Sequence, residues 1–130
     1  MSTDWQADVA EFMRAMGQEV RSVPCGTLED VPFVEEDLRV SLIEEEFGEF
    51  VAAETVVDVA DAIADLLYVV VGAACTYGIR LQPIWDEVHR SNMSKLGGPV
   101  RDDGKRLKGP NYSPPDIENE LRKQGWKGGE

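Results

Sequence analysis

Histidine and cysteine are nearly missing from this chain, which has one histidine (His89) and two cysteines (Cys25 and Cys75) in 130 residues. That scarcity excludes a Cys/His zinc cluster and the paired Glu-x-x-His motifs of a di-iron bundle. His89 sits among charged neighbours, reads as a helix-surface residue and gives no Ser-His-Asp apparatus. The cysteines lie outside any CxxC spacing and read either as free thiols of a reducing compartment or as one disulfide. Long apolar runs are also lacking: the longest, residues 66–75, is about half of what a membrane-spanning helix needs. The opening MSTDWQADVAEF has neither the basic nor the apolar region of a signal peptide, so a cytoplasmic protein without a membrane partner is expected. Basic residues are few, 13 against 25 acidic ones, and the net charge of −12 excludes nucleic acid as a main partner. No P-loop, EF-hand loop or GxGxxG occurs.

What is present is helical pattern in a length that suits one domain. Thr3 or Asp4 is a candidate cap for a first helix running to about Arg21, with Trp5, Val9, Phe12, Met13 and Met16 as its apolar stripe. VPCGTLEDVPF, with Pro24, Gly26 and Pro32, must be a loop. A second helix is expected over residues 34–53 and a third over 56–77, ended by Gly78. Pro83 can open a fourth that continues to about Leu96. Composition then changes: residues 97–130 hold 7 Gly and 4 Pro, with a short helix expected near 115–124. Charge divides at the same place, with 19 acidic and 6 basic side chains in residues 1–96 against 6 and 7 in 97–130. The expectation is an all-α fold of about four helices, a helical body over 1–96 and an irregular Gly/Pro-rich tail over 97–130 within a single domain.

Eight acidic residues interrupt the most apolar stretch, LIEEEFGEFVAAETVVDVADAIADLLYVVVG, and six of them, Glu45, Glu46, Glu49, Asp58, Asp61 and Asp65, fall among its apolar positions. On a helical wheel with Glu45 at zero, Glu49 falls at about 40° and Glu46 at about 100°, with Leu38 and Leu42 between them. With Asp65 at zero, Asp58 falls near 20° and Asp61 near −40°, on a stripe shared with Ala62, Val69 and Gly72. Ile63, Leu67, Val70 and Ala74 cover the other side, and a helix so apolar is normally buried. A single acidic strip is ordinarily a solvated face. Two consecutive strips set among leucine, alanine and valine repel one another at low dielectric unless cations lie between them. Oxygen-only ligands select Mg²⁺ or Mn²⁺, more than one ion per site given six carboxylates. Such ions leave positions open for water and phosphate, so a polyphosphate substrate is expected. Asn92 and Lys95 on the fourth helix, with Arg101, Lys105, Arg106 and Lys108 beyond it, are the groups available to phosphate. Asn111 and Tyr112 either wall the base or simply pack.

EEEFGEF, then DVADAIADLLYVVVGAACTYGI, then WDEVHRSNMSKL together resemble the MazG-like all-α nucleoside triphosphate pyrophosphohydrolases over about residues 34–117. The closing KGPNYSPPDI resembles the phage and bacterial branch allied to phosphoribosyl-ATP pyrophosphohydrolase. The resemblance implies a helical bundle completed by dimerisation, often a dimer of dimers, that converts an NTP to NMP and pyrophosphate. It places the E-x-x-E metal motif on Glu46 and Glu49, with Glu45 as an added acid, and Glu45 or Glu46 as catalytic base. The aspartate of the second motif falls on Asp65. Its glutamate falls on Ala62, which has no ligand atom; Asp61, or Asp58 a turn earlier, is the replacement on the same strip. Asn92 and Lys95 fall on polar positions near the phosphates. The likeness to phage-type relatives implies a deoxynucleotide, for which a purine such as dGTP is the first choice although no residue reads the base, and the branch-level alternative is phosphoribosyl-ATP in histidine synthesis. A rival of another class is a non-catalytic Mg²⁺-binding interaction module.

Overall fold

A computed structural model describes residues 4–128. Its helices are α1 (Trp5–Ala15), α2 (Phe33–Ala52), α3 (Val56–Tyr77), α4 (Leu81–Met93) and α5 (Ile117–Lys123), with one 3₁₀ turn at Leu28–Asp30. Among the described residues the only β pairing is an isolated bridge between Val100 and Arg106, so the all-α expectation holds.

Local signals account for most helix limits. The Asp4 carboxylate accepts from the Ala7 N–H at 2.9 Å and caps α1; Thr3, the other candidate cap, lies outside the described residues. Thr55 caps α3 by accepting from the Asp58 N–H at 3.1 Å, and Gly78 ends it with φ 75°. The first helix is the correction. It stops at Ala15, not near Arg21, because Gly17 takes φ 75° and the Gly17 and Gln18 N–H groups close back on the Arg14 and Met13 carbonyls as a glycine cap. The Arg21 N–H donates to the Cys75 carbonyl at 3.0 Å, and its guanidinium donates to the Thr76 carbonyl and to Glu35. These bonds hold the segment beyond the cap against α3. The fourth helix likewise stops short of Leu96, at Met93.

A linker of three residues, 53–55, makes α2 and α3 an antiparallel pair, and α1 lies across the later part of α3. The core forms where α1 meets α3: Val9, Ala10 and Met13 close on Val71 and Cys75, with Val20 and Leu81 beside them. Of the expected α1 stripe, Val9 and Met13 are buried while Trp5, Phe12 and Met16 remain exposed. Burial of α3 is confined to Ala62 and its C-terminal third, and Ile63, Leu67 and Val70 stay accessible. Phe47, Val51, Val56 and Val57 around the α2–α3 turn are 57%, 68%, 84% and 78% exposed. One chain alone therefore leaves a broad apolar face uncovered. Both cysteines are free thiols, Cys75 buried and Cys25 half-buried.

The fourth helix and the tail form a second layer. Gln6 clamps the turn after α3, donating to the Ile79 carbonyl at 2.6 Å and accepting from the Leu81 N–H at 2.7 Å. The Trp126 indole donates to the Gly26 carbonyl at 3.1 Å and ties the tail to the Pro-containing loop. Glu87 joins α4 to α5. Its carboxylate accepts from Arg90 at 2.8 and 3.0 Å and from the Asp116 N–H at 2.7 Å. First the guanidinium, then the backbone N–H, holds the Glu87 carboxyl down at about 2, from an ordinary 4.5. A carboxylate depressed in the folded state stabilises fully above its unfolded value, and that stabilisation disappears as pH falls towards the folded one. The thermal midpoint should therefore fall more steeply between pH 4.5 and 2 in the parent than in Glu87→Gln. Parallel profiles by circular dichroism would remove this role from Glu87.

Candidate active site

Where α2 and α3 run side by side, three of the six carboxylates converge. Glu46, Glu49 and Asp65 each bring an oxygen within 4.8 Å of the others. Glu46 and Glu49 are three residues apart and so neighbours on α2, and Asp65 meets them from the facing helix. The other three acids stand outside this group: Glu45, Asp58 and Asp61 are exposed. Glu45 and Glu46, adjacent in sequence, lie about 100° apart around the axis, and Glu46 is the one that joins the group. Ala62, one turn before Asp65, is buried and has no ligand atom to offer.

The electrostatics are those of a site short of positive charge. Glu46 Oε2 is buried with no hydrogen-bond partner. Burial is the first cause pushing the Glu46 carboxyl above its ordinary range, followed by contact with Glu49 and the charges of Asp65 and Glu45. A divalent cation is the group that relieves all of these at once, and an all-oxygen donor set suits a hard ion. The residues present fit a metal.

Sequence reasoning passed over Arg39, which lies on α2 seven residues before Glu46 and therefore on nearly the same face. Its guanidinium is buried, donating to Gln18 Oε1 at 3.1 Å, and burial lowers its pKa. The seven-residue spacing was a usable signal, obscured because arginine is so seldom buried.

The expected phosphate-binding residues lie at the end of α4 and in the tail. Lys95 and Lys108 both bring their ammonium groups to the Tyr112 ring, at 6.0 and 4.9 Å from its centroid. Lys105, Asn92 and Asn111 are exposed near these segments. Arg101 is engaged elsewhere, paired with Asp103 at 2.6 Å across the turn of the 100–106 loop. Also unforeseen were the residues that hold Tyr112 in place. The Ser94 hydroxyl accepts from the Ser113 N–H at 2.9 Å, and Arg90 donates to the Pro114 carbonyl at 3.1 Å. Pairings some 20 residues apart leave no periodic trace. His89 is exposed on α4, as its neighbours suggested.

No helix among the described residues is long and apolar enough to cross a membrane. No curated protein matches the chain. The family of phosphoribosyl-ATP pyrophosphohydrolases matches residues 9–92, which take in α2, α3, the three converging carboxylates and nearly all of α4. The chain belongs to the phosphoribosyl-ATP pyrophosphohydrolase family, within the MazG-like all-α superfamily, and is a nucleotide pyrophosphohydrolase, a hydrolase of acid anhydrides.

Proposed function

We propose that this hydrolase converts a (d)NTP to the (d)NMP and pyrophosphate, with a purine deoxynucleotide, dGTP first, as substrate, in the cytoplasm (that of the host if the chain is phage-encoded). The observation that carries the reading is the unpartnered, buried oxygen of Glu46 within a group of three carboxylates. Glu46, Glu49 and Asp65 would hold Mg²⁺ or Mn²⁺, more than one ion if Glu45, Asp61 or Asp58 turns inward to share the load. A bound divalent ion polarises phosphate oxygens and makes water a better nucleophile. Glu46, or Glu45 beside it, would take the proton of the attacking water. Lys95, Lys105 and Lys108 would meet phosphate charge, and Asn92, Asn111 and Tyr112 the rest of the nucleotide. In this division the body over 1–96 carries the metal chemistry and the tail over 97–130 completes the substrate site.

The family's name favours a second reading, phosphoribosyl-ATP as substrate. The tail's resemblance to phage-type relatives favours deoxynucleotides. A panel of the common NTPs and dNTPs together with phosphoribosyl-ATP, assayed for pyrophosphate with Mg²⁺ or Mn²⁺, separates the two. Purine dNTPs should be hydrolysed fastest, with no release in chelator. Hydrolysis of phosphoribosyl-ATP alone would transfer the assignment to histidine synthesis.

The exposed apolar residues around the α2–α3 turn support self-association, as a dimer or a dimer of dimers. Light scattering should give a particle mass two or four times that of the 14.4 kDa chain. A monomer at micromolar concentration would rule this out.

A further inference from the structure

We infer that Arg39 and Gly72 form a register key between α2 and α3, which makes Arg39 a positioning residue for the metal group. Arg39 is only 5% exposed. Its guanidinium lies where three segments meet. Nη2 donates to Gln18 Oε1 at 3.1 Å, Nη1 is 3.9 Å from Met13 Sδ, and Gly72 of α3 faces both nitrogens' carbon. A Cβ at Gly72 would collide with Nη1 and stand 3.6 Å from Cζ, so any side chain there displaces the guanidinium. Glycine inside a helix is destabilising relative to alanine, and here the missing methyl is the space that the arginine fills. Among the described residues Arg39 forms no ion pair, although five other cations do. A buried charge without a counter-charge is a poor source of stability, and its best-attested use is to fix one alignment against others.

The alignment so fixed is the one the carboxylates need. Glu46 follows Arg39 by seven residues on α2, and Asp65 precedes Gly72 by seven on the antiparallel α3. The pairing of Arg39 with Gly72 and that of Glu46 with Asp65 therefore belong to one register, about 10 Å apart along the seam. A slip of α3 by one turn would bring Tyr68 or Val69, or in the other direction Cys75 or Thr76, to the place of Gly72. Each has a side chain where the guanidinium stands. The same slip would carry Asp65 about 5 Å from its place beside Glu46 and Glu49, more than the 4.8 Å over which the group extends. Apolar packing alone would accept either alignment, because α3 is apolar around most of its circumference. The positioning role rests on the proposed metal role of Glu46, Glu49 and Asp65; the packing of Arg39 on Gly72 does not.

The test is Mn²⁺ binding to the full-length protein, read by calorimetric titration and by electron paramagnetic resonance of the ion, beside thermal melts in EDTA. Arg39→Met removes an unpaired buried charge and should melt at or above the parental midpoint, yet bind Mn²⁺ about tenfold more weakly. Gly72→Ala should weaken Mn²⁺ at least as much, because its methyl evicts the guanidinium. The double variant should bind no more weakly than the worse single one, as residues acting through one contact do. A merely structural residue would lower the midpoint and leave the Mn²⁺ affinity of the folded protein alone. The inference is overturned if the single variants bind Mn²⁺ as the parent does while keeping parental circular dichroism, or if their losses simply add. Should Gly72→Ala not fold, Arg39→Met decides by itself. Parental affinity in these variants, in a protein whose Mn²⁺ binding Glu49→Gln weakens, would keep the metal site and remove only the register key. A parent that binds no Mn²⁺ would remove the metal site and this role with it.

Discussion

Glu49→Gln and Asp65→Asn should each lower pyrophosphate release by about 10²–10³-fold with helix content unchanged. Each substitution keeps the size of the side chain and removes one anionic ligand from the group of three. Neither side chain is needed for the fold: Glu49 is exposed and Asp65 half-buried. Their charges help push the Glu46 carboxyl upward, so neutralising either relieves repulsion in the metal-free protein. Without divalent ions both variants should thus melt at or above the parental midpoint, and both should lose most of the stabilisation that Mn²⁺ gives the parent. Pyrophosphate assays and thermal melts with and without Mn²⁺ measure the two halves separately. Parental turnover in either variant would remove that residue from the site.

The largest stability effect expected of a single methyl group is at Gly78. There the chain leaves α3 at φ 75°, and the Gly78 N–H and the Ile79 N–H donate back to the Cys75 and Ala74 carbonyls. A side chain in this left-handed conformation costs about 1–2 kcal/mol. The added Cβ would also collide with the Val23 carbonyl, its carbon only 2.7 Å away, and press on Cβ of Arg21 at 3.1 Å. That loop cannot simply retreat, because the Arg21 and Cys25 N–H groups are bonded to the Cys75 and Tyr77 carbonyls. Overpacking of this kind costs about 1–3 kcal/mol, so Gly78→Ala should lose about 2–5 kcal/mol altogether. Urea unfolding measures it, and an unchanged midpoint would show that the loop yields.

How far each element was legible follows from where its determinants lie. The third helix was readable at both ends, because Thr55 and Gly78 act on backbone groups within a few residues of themselves. The first helix ends earlier than expected because Gly17 turns left-handed at φ 75° and caps it, a stop signal that was itself local and legible in the sequence. The acidic strips were readable as strips. Their periodicity is a property of each helix alone, and it put Glu46, Glu49 and Asp65 on faces shared with apolar residues. It could not separate those three from Glu45, Asp58 and Asp61, since that choice depends on how α2 and α3 face each other. Arg39 was missed although its spacing from Glu46 was in plain view.

Composition, charge and helical period by themselves determined an all-helical acidic chain with carboxylates on two consecutive helices and basic residues gathered after the fourth. These are sums over neighbours close in sequence, and such interactions need no knowledge of the rest of the molecule. Only the tertiary structure decided which three acids share a site, that Glu46 keeps a buried oxygen without a partner, and that Lys95 and Lys108 meet over Tyr112. Each of those depends on two segments brought together by packing, and side-chain convergence across a helix pair or a loop is set by the angle and depth of that packing.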